Sequence, residues 1–237
     1  MALPKLKTLT YELNLPSTGK TIKYRPFLVK EQKHLMIAQE SEDAKLMETT
    51  FAQILNDCVL DDIDPYKMPL FDMEYIFLRI RGKSVGDKIT LNLLCPDDEK
   101  TRVNVEIDLE EVNVQMKEDH TNVVQLTDDI SIIMKYPCLG DIAKLGTSGK
   151  NRNTENIFNM IKKCIHEIHD GEDVHHRVDM SEKELNTFIE SMSSKNFESL
   201  TDFFETMPKL QHTIEVKNPK TKKKGEVLIQ GLESFFV

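Results

Sequence analysis

The segment 101–109 alternates apolar and polar residues without a fault, and this constrains the fold more than any other stretch. A period of two is that of a β-strand with one buried face. The preceding segment 88–94 also suits a strand, and the turn residues 95–98 separate the two. We therefore predict an antiparallel hairpin that needs other elements to cover its apolar face. The apolar residues of the return strand are Val103, Val105, Ile107 and Leu109.

Helical periodicity occurs in blocks and does not alternate with single strands. Apolar residues recur at helical spacing over 44–60, 70–81 and 154–169, which predicts three amphipathic helices. Gly82 is predicted to end the second of these helices.

A capping box at Ser181 and Glu184 predicts a further helix start. Hairpins are predicted at both ends of the chain, over 8–27 and 210–229. With no repeating βαβ rhythm, these blocks predict an α+β fold. It would have an N-terminal β-hairpin and helices, a central antiparallel β region, and a helical C-terminal part closed by a β-hairpin.

The length of 237 residues allows one large domain or two small ones. We divide the chain into 1–86, 87–146 and 147–237, with a single compact domain as the alternative. The stretch 146–153 is rich in Gly, Ser, Lys and Asn, and it is the predicted hinge.

Composition excludes several classes of protein. A formal net charge of −9 argues against generic nucleic-acid binding, because neutralising phosphates needs a surplus of Lys and Arg. No apolar run is long enough for a membrane segment, and the first residues lack the apolar core of a secretory signal. We therefore expect the chain to start in the cytoplasm of the cell that makes it. The four cysteines form no CxxC pair, which favours reduced thiols.

No complete catalytic motif appears in the sequence. The stretch 146–150 (GTSGK) resembles a phosphate-binding loop, but its two glycines are too close together and Asn151 follows the lysine. GxSxG, HExxH and paired-glycine dinucleotide motifs are missing. We predict a protein that is not an enzyme and that uses no cofactor.

Four histidines near the middle of the second half are weak metal-ligand candidates. Two of them lie three residues apart on the predicted helix 154–169, so their side chains could converge. The spacing of the set is looser than that of a structural zinc site, and we interpret it as a solvated polar face without metal. A metal-dependent hydrolase using the region of the first two is the alternative. The residues are His166, His169, His175 and His176.

The tip of the last predicted hairpin concentrates positive charge. A solvated turn is one interpretation, and docking onto an acidic partner is the other. The segment 97–119 is acidic, with nine acidic and three basic residues. A head-to-tail contact between the tip and this segment of a second copy is therefore a further hypothesis, which leaves homo-oligomers open. The tip residues are Lys217, Lys220, Lys222, Lys223 and Lys224.

Two aromatic residues, Phe235 and Phe236, stand almost at the C-terminal end of the sequence. Leaving them in water would cost about 2 kcal/mol or more each. They either fold back onto the core or insert into a groove of a partner.

Several blocks resemble the baseplate hub subunit family of T-even-type bacteriophages, over nearly the whole chain. The resemblance implies a structural or assembly protein of the baseplate hub that binds other hub or tail proteins. It implies a location in the host cytoplasm during assembly and in the virion baseplate, with a transient assembly chaperone as the alternative. The blocks are KYRPFLVKE (23–31), NDCV (56–59), MPLFD (68–72), RIRGKSVG (79–86), FFETMPKL (203–210) and GLESFF (231–236).

Some members of this family carry CPxC knuckles at hairpin turns, where paired thiolates hold zinc. This chain has Cys-Pro-Asp-Asp at 95–98 and Asn-Pro-Lys-Thr at 218–221. One cysteine cannot form a tetrahedral thiolate site, so we predict no structural zinc.

Overall fold

A computed structural model describes residues 6–41, 43–142 and 154–235. The predicted hinge at 146–153 and the phosphate-loop-like stretch lie outside these residues. All strand pairs are antiparallel, in sheets of order β1-β2, β3-β4, β11-β10-β5 and β6-β7-β8-β9. In chain order the elements are β1 (Tyr11–Asn14), β2 (Thr21–Tyr24), α1 (Val29–Ser41), α2 (Ala44–Cys58), α3 (Leu70–Val85), β3 (Lys88–Leu94), β4 (Arg102–Asp108), β5 (Asn113–Gln115), β6 (Val123–Gln125), β7 (Ile130–Met134), α4 (Leu139–Ile142), α5 (Thr154–Cys164), β8 (Ile165–Asp170), β9 (Asp173–His176), α6 (Glu182–Glu190), α7 (Ser194–Thr206), β10 (Lys209–Lys217) and β11 (Lys224–Gln230).

The contacts divide the chain into two compact units. Unit 1 comprises residues 1–115 and 209–237, and unit 2 comprises residues 116–208. The last hairpin is thus grouped with the N-terminal elements, although the sequence-based division joined it to the preceding helices. That three-part division remains a prediction about domain boundaries.

The α+β class is confirmed, and so are the three predicted hairpins. The predicted end of α3 at Gly82 is wrong, because the helix continues to Val85. Gly86 follows with a φ of 126°, a backbone conformation that favours glycine. The glycine that ends the helix is therefore the second of the two.

The junction between β2 and α1 contains a buried ion pair in unit 1. Glu31 is only 1% exposed, and its Oε1 lies 2.8 Å from Nη2 of Arg25. Its Oε2 accepts a hydrogen bond from the backbone N–H of Leu28 at 2.7 Å. Burial alone would raise the pKa of Glu31, but the bonds from Arg25, Leu28 and Lys30 lower this pKa to about 2. The same arginine donates to the Asp57 carbonyl oxygen at 2.7 Å, which ties the junction to α2.

In unit 2 the predicted helix over 154–169 is wrong in its last five residues. The helix ends at Cys164, and Ile165 directly begins strand β8. The pairing of β8 with β7 shifts register, so that Met134 pairs with Ile165 while Ile133 pairs with Glu167. A β-bulge of this kind inserts one extra residue, here His166. The buried Ile165 and Ile168 are consequently three residues apart, which mimics helical spacing in the sequence.

Unit 2 has its own core, formed by the α5, α6 and α7 helices against the β6–β9 sheet. His120 joins the beginning and the end of this unit. Its Nδ1 lies 3.0 Å from Oγ1 of Thr206, and its Nε2 lies 3.1 Å from the hydroxyl of Tyr136. None of the helices in the described ranges has the length and apolar character needed to cross a bilayer.

Candidate functional site

The lysine tip, defined as Lys217, Lys220, Lys222, Lys223 and Lys224, lies at the turn between β10 and β11. All five residues are exposed. Lys224 forms an ion pair with Glu215 at 2.6 Å. The other four lysines have no ion pair with any residue that the structure describes. Their charge is therefore available to an external partner.

The turn that carries the lysine tip is held by one buried side chain. Asn218 is 0% exposed, and its Oδ1 accepts hydrogen bonds from the backbone N–H groups of Lys220 at 2.8 Å and Thr221 at 3.2 Å. Its carbonyl oxygen accepts from the N–H of Lys222 at 2.9 Å, a residue with φ of 65°. The turn thus has a defined shape, with an asparagine side chain capping it.

A second turn, between β3 and β4, packs against the lysine-bearing turn. Asp97 accepts hydrogen bonds from Nδ2 of Asn218, at 2.8 Å, and from the hydroxyl of Thr221. These bonds, first that of Thr221, lower the pKa of Asp97. A Cβ atom on Gly225 would lie 2.6 Å from Cγ of Pro96, so the two hairpins touch with no room for a side chain. We call these contacts, of Pro96 and Asp97 with Asn218, Thr221 and Gly225, the turn clip.

The two turns of the turn clip have closely similar backbones. Each has Pro as its second residue, and the N–H of its fifth residue donates to the carbonyl oxygen of its first. The fifth residues, Glu99 and Lys222, both have positive φ, at 51° and 65°. The repeated Pro was the sequence signal for this likeness, but nothing local in the sequence indicates that the turns touch.

The turn clip places the first residues of the acidic segment beside the lysine tip of the same chain. Asp97 is already engaged by Asn218 and Thr221. The head-to-tail contact between copies remains a prediction.

The four candidate histidines lie on the β8–β9 hairpin and not on a helix. The bulge brings His166 to the same sheet face as Glu167, with its Nε2 at 3.6 Å from Oε1 of the carboxylate. Nε2 of His169 lies 2.9 Å from Oε2, and Nδ1 of His176 lies 3.2 Å from Oε1. His175 pairs with Ile168 in the ladder. The hydrogen bond with His169, and the nearby His176 and His166, lower the pKa of Glu167.

These imidazoles surround a carboxylate without enclosing a common point. Among the residues that the structure describes, no group of three or more His, Cys, Asp and Glu side chains is arranged to hold a metal ion. The cluster therefore consists of one hydrogen bond, between His169 and Glu167, with His166 and His176 near the same carboxylate.

The cysteines are poor nucleophiles. All four are free and buried, and burial raises the pKa of Cys58 and of Cys164 to about 12. A thiol with such a pKa stays protonated near neutral pH, and the thiolate is the reactive form.

Phe235 lies in the core with 1% exposure, in a short 3-10 helix after β11. This position matches the core alternative of the two that the sequence left open. Phe236 lies outside the described residues.

Comparison with known proteins gives one result. A family model described as T4 bacteriophage base plate protein matches residues 8–237. No curated protein and no solved structure shows significant similarity to the chain. Because the match covers nearly the whole sequence, the chain belongs to the T4 bacteriophage base plate protein family.

Proposed function

We propose that this chain is a structural or assembly protein of the baseplate hub that acts by binding other hub or tail proteins, and not an enzyme. Membership of the base plate family supports the structural role. The observation that carries the proposal is the lysine tip, fixed by the turn clip on a chain with a net charge of −9.

The charge arrangement favours oriented docking. An acidic protein repels acidic partners over most of its surface, whereas the lysine tip attracts them at one place. Long-range attraction of this kind raises the association rate and selects the orientation of the encounter. The partner face for the tip would therefore be an acidic surface of another hub or tail protein.

The test removes three of the four free charges of the tip. In a phage that lacks its own copy of the gene, the chain would be supplied with Lys220, Lys222 and Lys223 changed to Gln. We expect incorporation into purified baseplates to fall at least about tenfold, because mutating rim charges slows association. The amount of the chain per baseplate would be measured by quantitative mass spectrometry.

The matched control changes three exposed lysines elsewhere, Lys33, Lys45 and Lys195, to Gln. This variant has the same net charge as the tip variant but keeps the tip. Normal incorporation of both variants would contradict the proposal, as would an equal loss in both.

The same measurement on wild-type virions separates a permanent subunit from a transient assembly chaperone. A fixed copy number in mature virions indicates a subunit, and a chain present only in assembling tails indicates a chaperone. In both cases the protein would work first in the host cytoplasm.

A hydrolase role for His166 and His169 stays an alternative with a simple check. A variant with both changed to Ala that folds and supports tail assembly normally would leave the hydrolase hypothesis without support.

A further inference from the structure

Strand β11 forms one edge of the three-stranded sheet β11-β10-β5. It spans Lys224–Gln230 and pairs along its whole length with β10 on one side. Edge strands present a row of backbone N–H and C=O groups on their free side, which is a template for another strand.

The ladder shows which backbone groups point away from β10. The N–H of Gly231 donates to the Leu210 carbonyl oxygen at 2.9 Å, and the N–H of Asn218 donates to that of Lys223 at 2.9 Å. These two bonds mark hydrogen-bonded pairs one step beyond each end of the ladder. Hydrogen-bonded and non-hydrogen-bonded pairs alternate along an antiparallel ladder, so both terminal pairs of the ladder are non-hydrogen-bonded. The residues whose N–H and C=O groups point outward are therefore Lys224, Glu226, Leu228 and Gln230.

Among these outward groups, the carbonyl oxygen of Gln230 already accepts from the hydroxyl of Ser234 at 2.7 Å. The outward N–H and C=O groups of Glu226 and Leu228 bond to no other group in the part of the chain that the structure describes. Leu228 also exposes 55% of its surface. The free edge thus combines open backbone groups with an apolar side chain.

We propose that β11 receives an extended segment of a partner protein as an additional strand. This inference rests on the proposed docking function and specifies the partner's chemistry. Backbone hydrogen bonds to Glu226 and Leu228 would supply affinity, as in other strand-addition complexes. The segment would place an apolar residue beside Leu228 and acidic residues at the end that lies next to the lysine tip.

The two edges of the β3-β4 sheet fit this role less well. On β3, the Asn92 carbonyl oxygen accepts from Nη1 of Arg102 at 2.9 Å. The corresponding positions of β4 are all polar. They are Arg102, Asn104, Glu106 and Asp108. The edge of β11 is the one that continues directly into the lysine tip.

Synthetic peptides test the strand addition on the full chain. Each probe would alternate valine and threonine and carry two aspartates, at the amino end in one peptide and at the carboxyl end in the other. We expect one of the two to slow amide hydrogen exchange at Glu226 and Leu228 at least about tenfold at saturation, as measured by NMR. The orientation that binds would tell parallel from antiparallel addition.

Two control peptides define failure. One carries N-methylated valines, which cannot donate backbone hydrogen bonds, and the other carries lysines in place of the aspartates. Equal protection by the N-methylated peptide would overturn the proposal. Equal protection by the lysine peptide would overturn the inference that the partner segment has acidic residues at the end next to the lysine tip. The proposal would also be overturned if, without peptide, the amides of Glu226 and Leu228 already exchanged as slowly as the amide of Val227.

A pair of variants isolates the outward N–H of β11. Glu226→Pro removes an N–H that β10 does not use, a position where edge strands tolerate proline. Glu226→Ala loses the same side chain but keeps the N–H. We expect the proline variant to weaken peptide binding at least about tenfold and the alanine variant to bind like wild type. Equal binding by the two would contradict strand addition.

The two proposals can fail separately. A Glu226→Pro chain that enters baseplates normally, together with a Gln-substituted tip that does not, would reject strand addition and keep tip docking. Normal entry of the Gln-substituted tip would reject the proposed function itself. Should the proline variant not fold, the exchange measurements on the wild-type chain decide the matter.

Discussion

The carboxylate of Glu31 illustrates how a single residue can stabilise a chain junction. It is nearly inaccessible to solvent, yet it stays ionised because Arg25 and the N–H of Leu28 both donate to it. A buried carboxylate that loses its partners lowers the free energy of unfolding by several kcal/mol, whereas a fully bonded carboxylate is tolerated. The KYRPFLVKE block therefore has a structural role in joining β2, α1 and α2.

Changing Glu31 to Gln should lower the free energy of unfolding at pH 7 by roughly 2–3 kcal/mol, since Arg25 is then left without its charge partner. The pKa of Glu31 lies at about 2 in the fold against a reference value of 4.5. Because this pKa is lowered, the stabilisation is present above pH 4.5 and is lost as the pH falls from 4.5 towards 2. Urea unfolding between pH 7 and 3 should show that the free energy of unfolding falls more steeply with decreasing pH for the wild type than for the variant.

Glu12 provides the control, because it pairs with Lys23 at 3.8 Å with 66% of its side chain exposed. Exposed pairs of this kind contribute little, so Glu12→Gln should shift the unfolding free energy by less than about 0.5 kcal/mol. Parallel pH curves for wild type and Glu31→Gln would contradict the assignment.

At this scale the sequence revealed which residues were charged but not which of them were buried or paired. The lysine tip could be predicted as exposed because it forms a run of like charges. The burial of Glu31 and the contact of Asp97 with Asn218 depend on residues distant in the chain, which local patterns do not report.

At the scale of elements, the turn clip joins two hairpins by hydrogen bonds and by close packing. Gly225 and Pro96 meet where no Cβ atom fits. Gly225→Ala should therefore destabilise the chain by about 1–3 kcal/mol through overpacking. Equilibrium unfolding in urea would measure the change.

A double-mutant cycle distinguishes this contact from a general effect on the strand. Because Pro96→Ala removes the ring that the new methyl group would meet, Gly225→Ala should cost less in that background, with a coupling of about 0.5 kcal/mol or more. Additive effects of the two changes would show that the hairpins do not restrict each other at this point.

Elements with a regular period were predictable from the sequence, and the errors have local causes. The alternation over 101–109 predicted β4 because no residue interrupts it. The switch from α5 to β8 was missed because the bulge at His166 gives buried residues a helical spacing. Strand β6 has only three residues, too few for its period to be recognised.

For the whole molecule, the division into two units follows from pairing between distant parts of the chain. Gln115 on β5 and Gln211 on β10 bond through their side chains although they are 96 residues apart. No sequence pattern encodes such a pairing, which is why the sequence-based division grouped the last hairpin with its neighbours in the chain.

Unit 2 should fold on its own as a fragment of residues 116–208. Among the residues that the structure describes, its core draws only on this range, and the contact of His120 with Thr206 joins its two ends. We expect cooperative thermal unfolding of the fragment, followed by circular dichroism. As a comparison, Phe203→Ala should lower its stability by about 3–5 kcal/mol, because Phe203 is a buried core residue. A fragment that unfolds without a cooperative transition would contradict the expectation.

The register of β5 and β10 has a consequence for how this chain can change. Gln115 and Lys209 face each other across the ladder, so the chain leaves and re-enters unit 1 at neighbouring points. A tight two-residue turn would suffice to close that gap. Unit 2 is thus an insertion between two paired strands of unit 1. Recombination between phages could replace or remove it without breaking the pairing of β5 with β10.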